Sequence, residues 1–158
     1  MKILLEESQL KYDSTADTLK HIKDVNDLLG KCATELIKRG KAHDASKLKS
    51  PEKALYDEMT PLLKGVTYGS KEYKGMLKKL EPALKHHYQN NSHHPEYYPN
   101  GLNGMDLFDL IEMAMDWIAA TRRHSDGDIM KSLEINSKRF SISPQLHAIL
   151  KNTFEKKL

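Results

Sequence analysis

The segment from Met105 to His124 is apolar on almost every side, with Leu107, Leu110, Ile111, Met113, Ala114, Met115, Trp117, Ile118 and Ala119 nearly encircling it. A helix of that kind is stable only when other elements cover it, so the spacing predicts a central buried helix with helices packed around it. Yet Asp116 stands in its middle, and Asp109 and Glu112 precede it by seven and four residues on the same face. A lone ionised carboxylate in such a place is very costly. It calls for a cation, a hydrogen-bond network or a water-filled cleft. This one element therefore predicts a helical bundle built around a polar centre.

The rest of the chain supplies the other helices. Ser14 has the character of an N-cap before Leu19, Ile22, Val25, Leu29, Cys32, Leu36 and Ile37 at helical spacing, and Gly40 after Lys38-Arg39 reads as the stop. Ser50-Pro51-Glu52 opens a second helix through Ala54, Leu55 and Met59, which Pro61, Gly65 and Gly69 should break. From Ser70 a third runs through Tyr73, Met76, Leu77 and Leu80, and Pro82 must kink it or begin a new helix reaching about Tyr88. Gln89 to Gly104 reads as a long loop, a length that is usually functional when ordered. Beyond the apolar segment, Ser125-Asp126-Gly127-Asp128 turns the chain into a helix over Ile129, Leu133 and Ile135, and Ser143-Pro144 opens a last one through Leu146, Ile149 and Leu150. No strand, repeat or linker stands out, so the expected fold is all-α, a single-domain helical bundle spanning residues 1–158.

Composition narrows the function. At 158 residues and 39% hydrophobic content the chain has enough apolar side chains for one core, and no stretch approaches the roughly 18 apolar residues of a spanning helix. The acids in MKILLEESQLKYD make a poor secretory signal, and the lone Cys32 rules out an internal disulfide and a cysteine-rich zinc site. A reducing cytoplasm is the expected compartment. A net charge of +3 does not argue for a nucleic-acid polymer as partner, though Arg122-Arg123 could receive a phosphate.

Six of the eight histidines stand in or beside a set of positions that share acids: His21, the adjacent pair His43-Asp44 in the run HDASK, His87, and His93-His94 in the long loop. Imidazole nitrogen and carboxylate oxygen are the ligands of hydrolytic metal centres that keep water in the coordination shell. His21 shares a helix face with Val25, Leu28 and Cys32, so its ring is expected to point toward or along the core. His87 follows Leu80 and Leu84 on one face while His86 is rotated by about 100 degrees, which favours His87 as a ligand.

The order His21, His43-Asp44 and a distal Asp116 resembles the signature of the HD superfamily of metal-dependent phosphohydrolases, which are all-helical. HDASK is similar to the HD-x-G-K run of the HD-GYP branch, and HHPEYYPNGLNG, His93 to Gly104, resembles its HHE...GYP...GL segment; the likeness covers residues 17–120. Ser46 replaces a glycine, the Gly-Tyr-Pro triplet is reduced to Tyr97-Tyr98-Pro99, and the gap from His87 to His93 is short, so the cyclic dinucleotide substrate is not carried over. The chain also resembles a small HD-type family of the sort found in phages and bacteria, which leaves the substrate unnamed.

The resemblance implies a metal-dependent phosphohydrolase acting on a phosphate ester of a nucleotide, a monophosphate, triphosphate or cyclic signal, through a metal-activated water. It implies one or two divalent ions (Mn, Fe, Co, Ni, Mg or Zn), with His21, His43, Asp44 and Asp116 around one, and His87 with His93 or His94 on a second that Asp44 bridges. Asp17, one turn before His21, could reach the same cluster. Lys47 would steady the phosphate as a point charge, and Glu112, Glu96 or a ligand-bound water would protonate the leaving oxygen.

Plainer readings compete. The same ligands could form a regulatory metal module without turnover, or the cluster could be a hydrogen-bond network in a structural helical protein. His86, His124 and His147 read as surface or packing histidines, the histidine-rich loop could be a metal staple, Arg122-Arg123 suits a helix C-terminus, and Trp117 with Met113 and Met115 reads as core.

Overall fold

The computed structural model describes residues 12–66, 70–123 and 127–156. Gly69, His124, Ser125 and Asp126, singled out above, lie outside the described residues. Among those described the regular structure is entirely helical, as expected: α1 (Thr15–Ala42), α2 (Glu52–Lys64), α3 (Lys71–Asn90), α4 (Leu107–Thr121), α5 (Ile129–Phe140) and α6 (Pro144–Phe154), with 3-10 turns at Ala45–Leu48, Pro95–Tyr97 and Gly101–Gly104. None of these helices is long and apolar enough to cross a membrane.

The chain divides into two compact units, Met1–Ile37 and Lys38–Leu158. In the first, α1 starts at Thr15, whose N–H and hydroxyl are both taken by Asp13 Oδ1, at 2.9 and 2.6 Å. The helix buries none of its residues along its whole length. That overturns the expectation for His21: it is exposed, as are Val25, Leu28 and Cys32 beside it. The apolar spacing was read correctly as helix, but spacing does not say whether a face is covered. Gly40 does not end α1 either, because a glycine in a helix costs only about 1 kcal/mol and the helix runs on to Ala42.

The second unit holds two cores. Met59, Leu80 and Ala83 pack α2 on α3, while Met113, Ala114, Trp117, Leu133, Leu150 and Phe154 join α4, α5 and α6, with Trp117 stacked on Phe140 at 6.3 Å. Pro61 and Pro82 lie inside α2 and α3 without ending them; packing across the α2–α3 core offsets the hydrogen bond that each proline forfeits. Ser70, Asp128 and Ser143 cap α3, α5 and α6 through their side chains. α4 opens with a capping box in which Asp106 Oδ1 accepts from the Asp109 N–H at 2.9 Å and Asp109 Oδ2 accepts from the Asp106 N–H at 3.1 Å. It is not buried all round: Met113, Ala114 and Trp117 face the core, but Leu107 is 75% exposed and Ile111 41%. The acids of α4 occupy a third face of their own, and that face carries the site.

Candidate metal centre

Asp44 adopts the left-handed conformation, φ 58°, immediately after His43 at the end of α1. Aspartate tolerates that region better than most residues, and the sharp turn lets two consecutive side chains reach one centre. His43 Nε2 lies 3.6 Å from Asp44 Oδ2 and 3.6 Å from Asp116 Oδ1 on α4. The end of α3 brings His87, and the loop that follows brings His93 and His94. His87 Nε2 is 3.1 Å from Asp44 Oδ1 and 3.0 Å from His94 Nε2, and His93 Nε2 is 3.6 Å from Asp44 Oδ1. Two groups thereby have donor atoms close enough for one ion: Asp44, His87, His93 and His94, and His43, His93 and Asp116. Six of the seven expected ligands come together; His21, exposed on α1, joins neither group.

What lies behind the imidazoles decides which nitrogen faces the centre. Glu112 Oε1 accepts from His43 Nδ1 at 2.9 Å and from His93 Nδ1 at 3.1 Å. Glu52, fully buried in the first turn of α2, accepts from His86 Nδ1 at 2.7 Å and His87 Nδ1 at 3.0 Å, and Ser46 Oγ also lies 3.0 Å from His87 Nδ1. A carboxylate can only accept, so each Nδ1 carries a proton, and the Nε2 of His43, His87 and His93 faces inward. There they meet carboxylate oxygens and one another. Asp44 Oδ1 and His93 Nε2 are buried with no hydrogen-bond partner at all. Acceptors converging on acceptors is unfavourable unless a cation stands between them, and these orphaned atoms fit a divalent ion.

Without an ion the centre draws a proton to His43 instead. The facing Asp116 carboxylate outweighs burial, and with Glu112 and Asp44 raises the His43 pKa to about 9. Burial works against ionisation of Asp44, but the facing His87 and His93 and the Lys47 ammonium hold its carboxyl far below the usual range. Asp116 is likewise lowered, chiefly by His43 against the effect of burial. His94 moves the other way, to about 3, because burial and then its neighbours His93 and His87 disfavour a charge. The centre thus keeps Asp44 and Asp116 ionised and the His94 ring neutral.

A second network holds the frame. Arg39 reaches Asp109 through Nη2, and through Nη1 at 3.2 Å, while its Nε lies 3.4 Å from Glu112 Oε2. Asp109 also accepts from the Ser92 hydroxyl at 2.6 Å and the Tyr98 hydroxyl at 2.6 Å. Burial is outweighed by Ser92, Tyr98, the Asp106 N–H and Arg39, so Asp109 is lowered to about 2; burial and then the Asp109 bond raise Tyr98 to about 12. Gly104 makes room for this arrangement, since a Cβ there would meet Tyr98 Cβ at 2.7 Å and Cδ1 at 2.8 Å.

The other expected residues have definite places. Lys47 Nζ donates to Asp44 Oδ2 at 2.6 Å and lies 5.3 Å from the Tyr56 ring centre. Glu112, read from the sequence as a candidate proton donor, has its two oxygens engaged by two imidazoles and Arg39. Glu96 is paired with Arg139 at 2.6 Å, and Asp17 accepts from Tyr12. His86 is partly exposed and bonded to Glu52, His147 pairs with Glu134 at 3.1 Å, and Arg122 and Arg123 are exposed at the end of α4. Glu52, Arg39 and Ser92 carry no spacing that marks them, because their partners are 17 to 73 residues away in sequence.

Fold and site together define an all-helical protein with His/Asp groups placed to hold a metal ion. The chain belongs to a family of unknown function, DUF5662, whose profile matches residues 10–156. No curated protein and no solved structure matches it.

Proposed function

We propose that the cluster binds divalent metal and that the protein is a metal-dependent phosphohydrolase acting on a phosphate ester of a nucleotide. The observation that carries the metal is the pair of orphaned buried atoms, Asp44 Oδ1 and His93 Nε2, with the Nδ1 of His43, His87 and His93 each anchored to a carboxylate. One imidazole Nε2 holds one ion, so His93 serves one group or the other. Two ions would be held by Asp44 Oδ1, His87, His93 and His94 on one side, and by His43, Asp116 and Asp44 Oδ2 on the other. When bound, such ions supply charge for a phosphoryl group and an activated water.

The protein's own residues do the rest. Glu112 and Glu52 orient the imidazoles. Lys47, partly exposed beside Asp44, offers a point charge to a phosphate oxygen. The nucleotide rests on the resemblance of HDASK and HHPEYYPNGLNG to the HD phosphohydrolases.

A second reading has its own observation. Asp44, His87, His93 and His94 number four donors, enough to close a tetrahedral site without a free position for substrate, and His87 and His93 are almost inaccessible. A structural or regulatory ion would suit that group. Protein purified without a histidine tag should carry close to one equivalent or more of a transition metal by mass spectrometry. With added manganese it should hydrolyse a nitrophenyl phosphate mono- or diester, and Asp44→Asn, which tolerates the left-handed backbone, should lose both properties. Metal below a tenth of an equivalent after reconstitution would sink the proposal; metal without turnover would leave the second reading.

A further inference from the structure

The first unit raises a separate question. α1 is a 28-residue helix, about 42 Å long, with no buried residue. Ile22, Val25, Leu29, Cys32 and Leu36 recur at steps of three, four, three and four, a repeat of 3.5 residues that keeps them within about 80° of arc. Ile22 is 56% exposed and Leu29 63%. Leu19 and Leu28, 61% and 59% exposed, widen the stripe on either side.

A strict alternation of three and four is the pattern of a seam between two helices, narrower than the stripe of a helix that packs on a globular core. We propose that this face is a self-association surface, and that two copies of the chain pair through residues 19–36 of α1 as a two-stranded coiled coil.

Three features favour a second copy over another occupant. The facing helix must have the same 3.5-residue period to stay in register, and an identical helix has it. Residues 15–37 carry three lysines, Lys20, Lys23 and Lys31, against four acids, Asp17, Asp24, Asp27 and Glu35, so two copies bring almost no net charge together. The positions beside the seam hold His21, Asn26, Leu28, Ala33 and Glu35, a single acid rather than a row of one sign, so like charges are not forced into contact along it. The size is also adequate. Seven aliphatic or thiol side chains per copy, at roughly 60–100 Å² each, withdraw about 800–1,400 Å² in all, around the threshold of a specific interface.

Sedimentation equilibrium of the full-length protein between 1 and 200 μM tests this. A mass of two chains at the upper end is expected, with Val25→Lys combined with Leu29→Lys giving one chain throughout and Asp24→Lys, off the seam, leaving the dimer intact. A wild-type protein that stays at one chain overturns the proposal, since the stripe is then covered by the chain itself or kept for a different partner. A dimer that survives the double lysine substitution overturns it too, because its interface lies elsewhere. Should circular dichroism show that the double variant has lost helix, hydrogen exchange of the wild type decides. Amides of residues 19–36 must become at least tenfold better protected from 1 to 200 μM, and concentration-independent protection rejects the coiled coil.

Discussion

Replacing Glu112 by glutamine probes the centre without touching a ligand. One oxygen, Oε1, accepts from both His43 Nδ1 and His93 Nδ1, at 2.9 and 3.1 Å, while Oε2 faces Arg39 Nε at 3.4 Å. A glutamine amide has one acceptor and one donor end. If its oxygen stays with the imidazoles, its NH2 opposes the Arg39 Nε–H; if it flips, its NH2 opposes two imidazole N–H groups. Both choices put donor against donor, and the negative charge that raises imidazole basicity is gone in either. Losing the carboxylate behind one metal-ligating histidine typically costs 10–100-fold in affinity, or about 1.4–2.7 kcal/mol. Here two histidines lose the same carboxylate, so a decrease near 100-fold is expected. Competition titration against a fluorescent chelator, with manganese or zinc, reads it directly. Circular dichroism should show the helices retained, because Glu112 lies outside both apolar cores. An affinity within threefold of wild type, with Asp44→Asn devoid of metal, would refute the view that Glu112 sets the direction of the Nε2 lone pairs.

Asp109→Asn should destabilise the protein at neutral pH by about 2–4 kcal/mol, because it leaves the partly buried Arg39 without its charged partner. The folded pKa of Asp109, about 2, lies below its ordinary 3.8, so its ionisation stabilises the fold above about pH 3.8 and that contribution is lost as pH falls through about 2. Urea titrations of wild type and variant should therefore converge below pH 3; a constant gap down to pH 2 would contradict the pairing. Gly104→Ala forces Tyr98 aside and breaks its bond to Asp109, so metal affinity should fall several-fold and fluorescence-detected melting should shift down by several degrees. An unchanged melting temperature would show that the loop absorbs the methyl group at no cost.

The helices could be read from the chain because their signals are local. Ser70, Ser143 and Asp128 cap within three residues, and the 3.6-residue rhythm of α3 to α6 lies within each segment. The candidate site was nearly as legible. His43-Asp44, His87, His93-His94 and Asp116 announce themselves by chemistry, since a half-buried carboxylate on an apolar helix and paired imidazoles in a long loop have few other uses. His21 misled because a helix face looks alike whether it is covered or bare. Pro61 and Gly40 misled because a local breaking tendency of a few kcal/mol yields to packing or is simply tolerated, and of the two roles open to Pro82 the start of a new helix is excluded by the continuous α3.

Sequence alone determined that this is an all-helical chain bearing a set of imidazoles and acids suited to a cation, because helical period and side-chain chemistry are properties of single segments. Only the tertiary structure decided which atoms of those residues face inward. Glu52 on α2, Glu112 on α4 and Arg39 at the end of α1 act across 19 to 73 residues of chain, and contacts at that separation follow from how helices pack rather than from any local pattern.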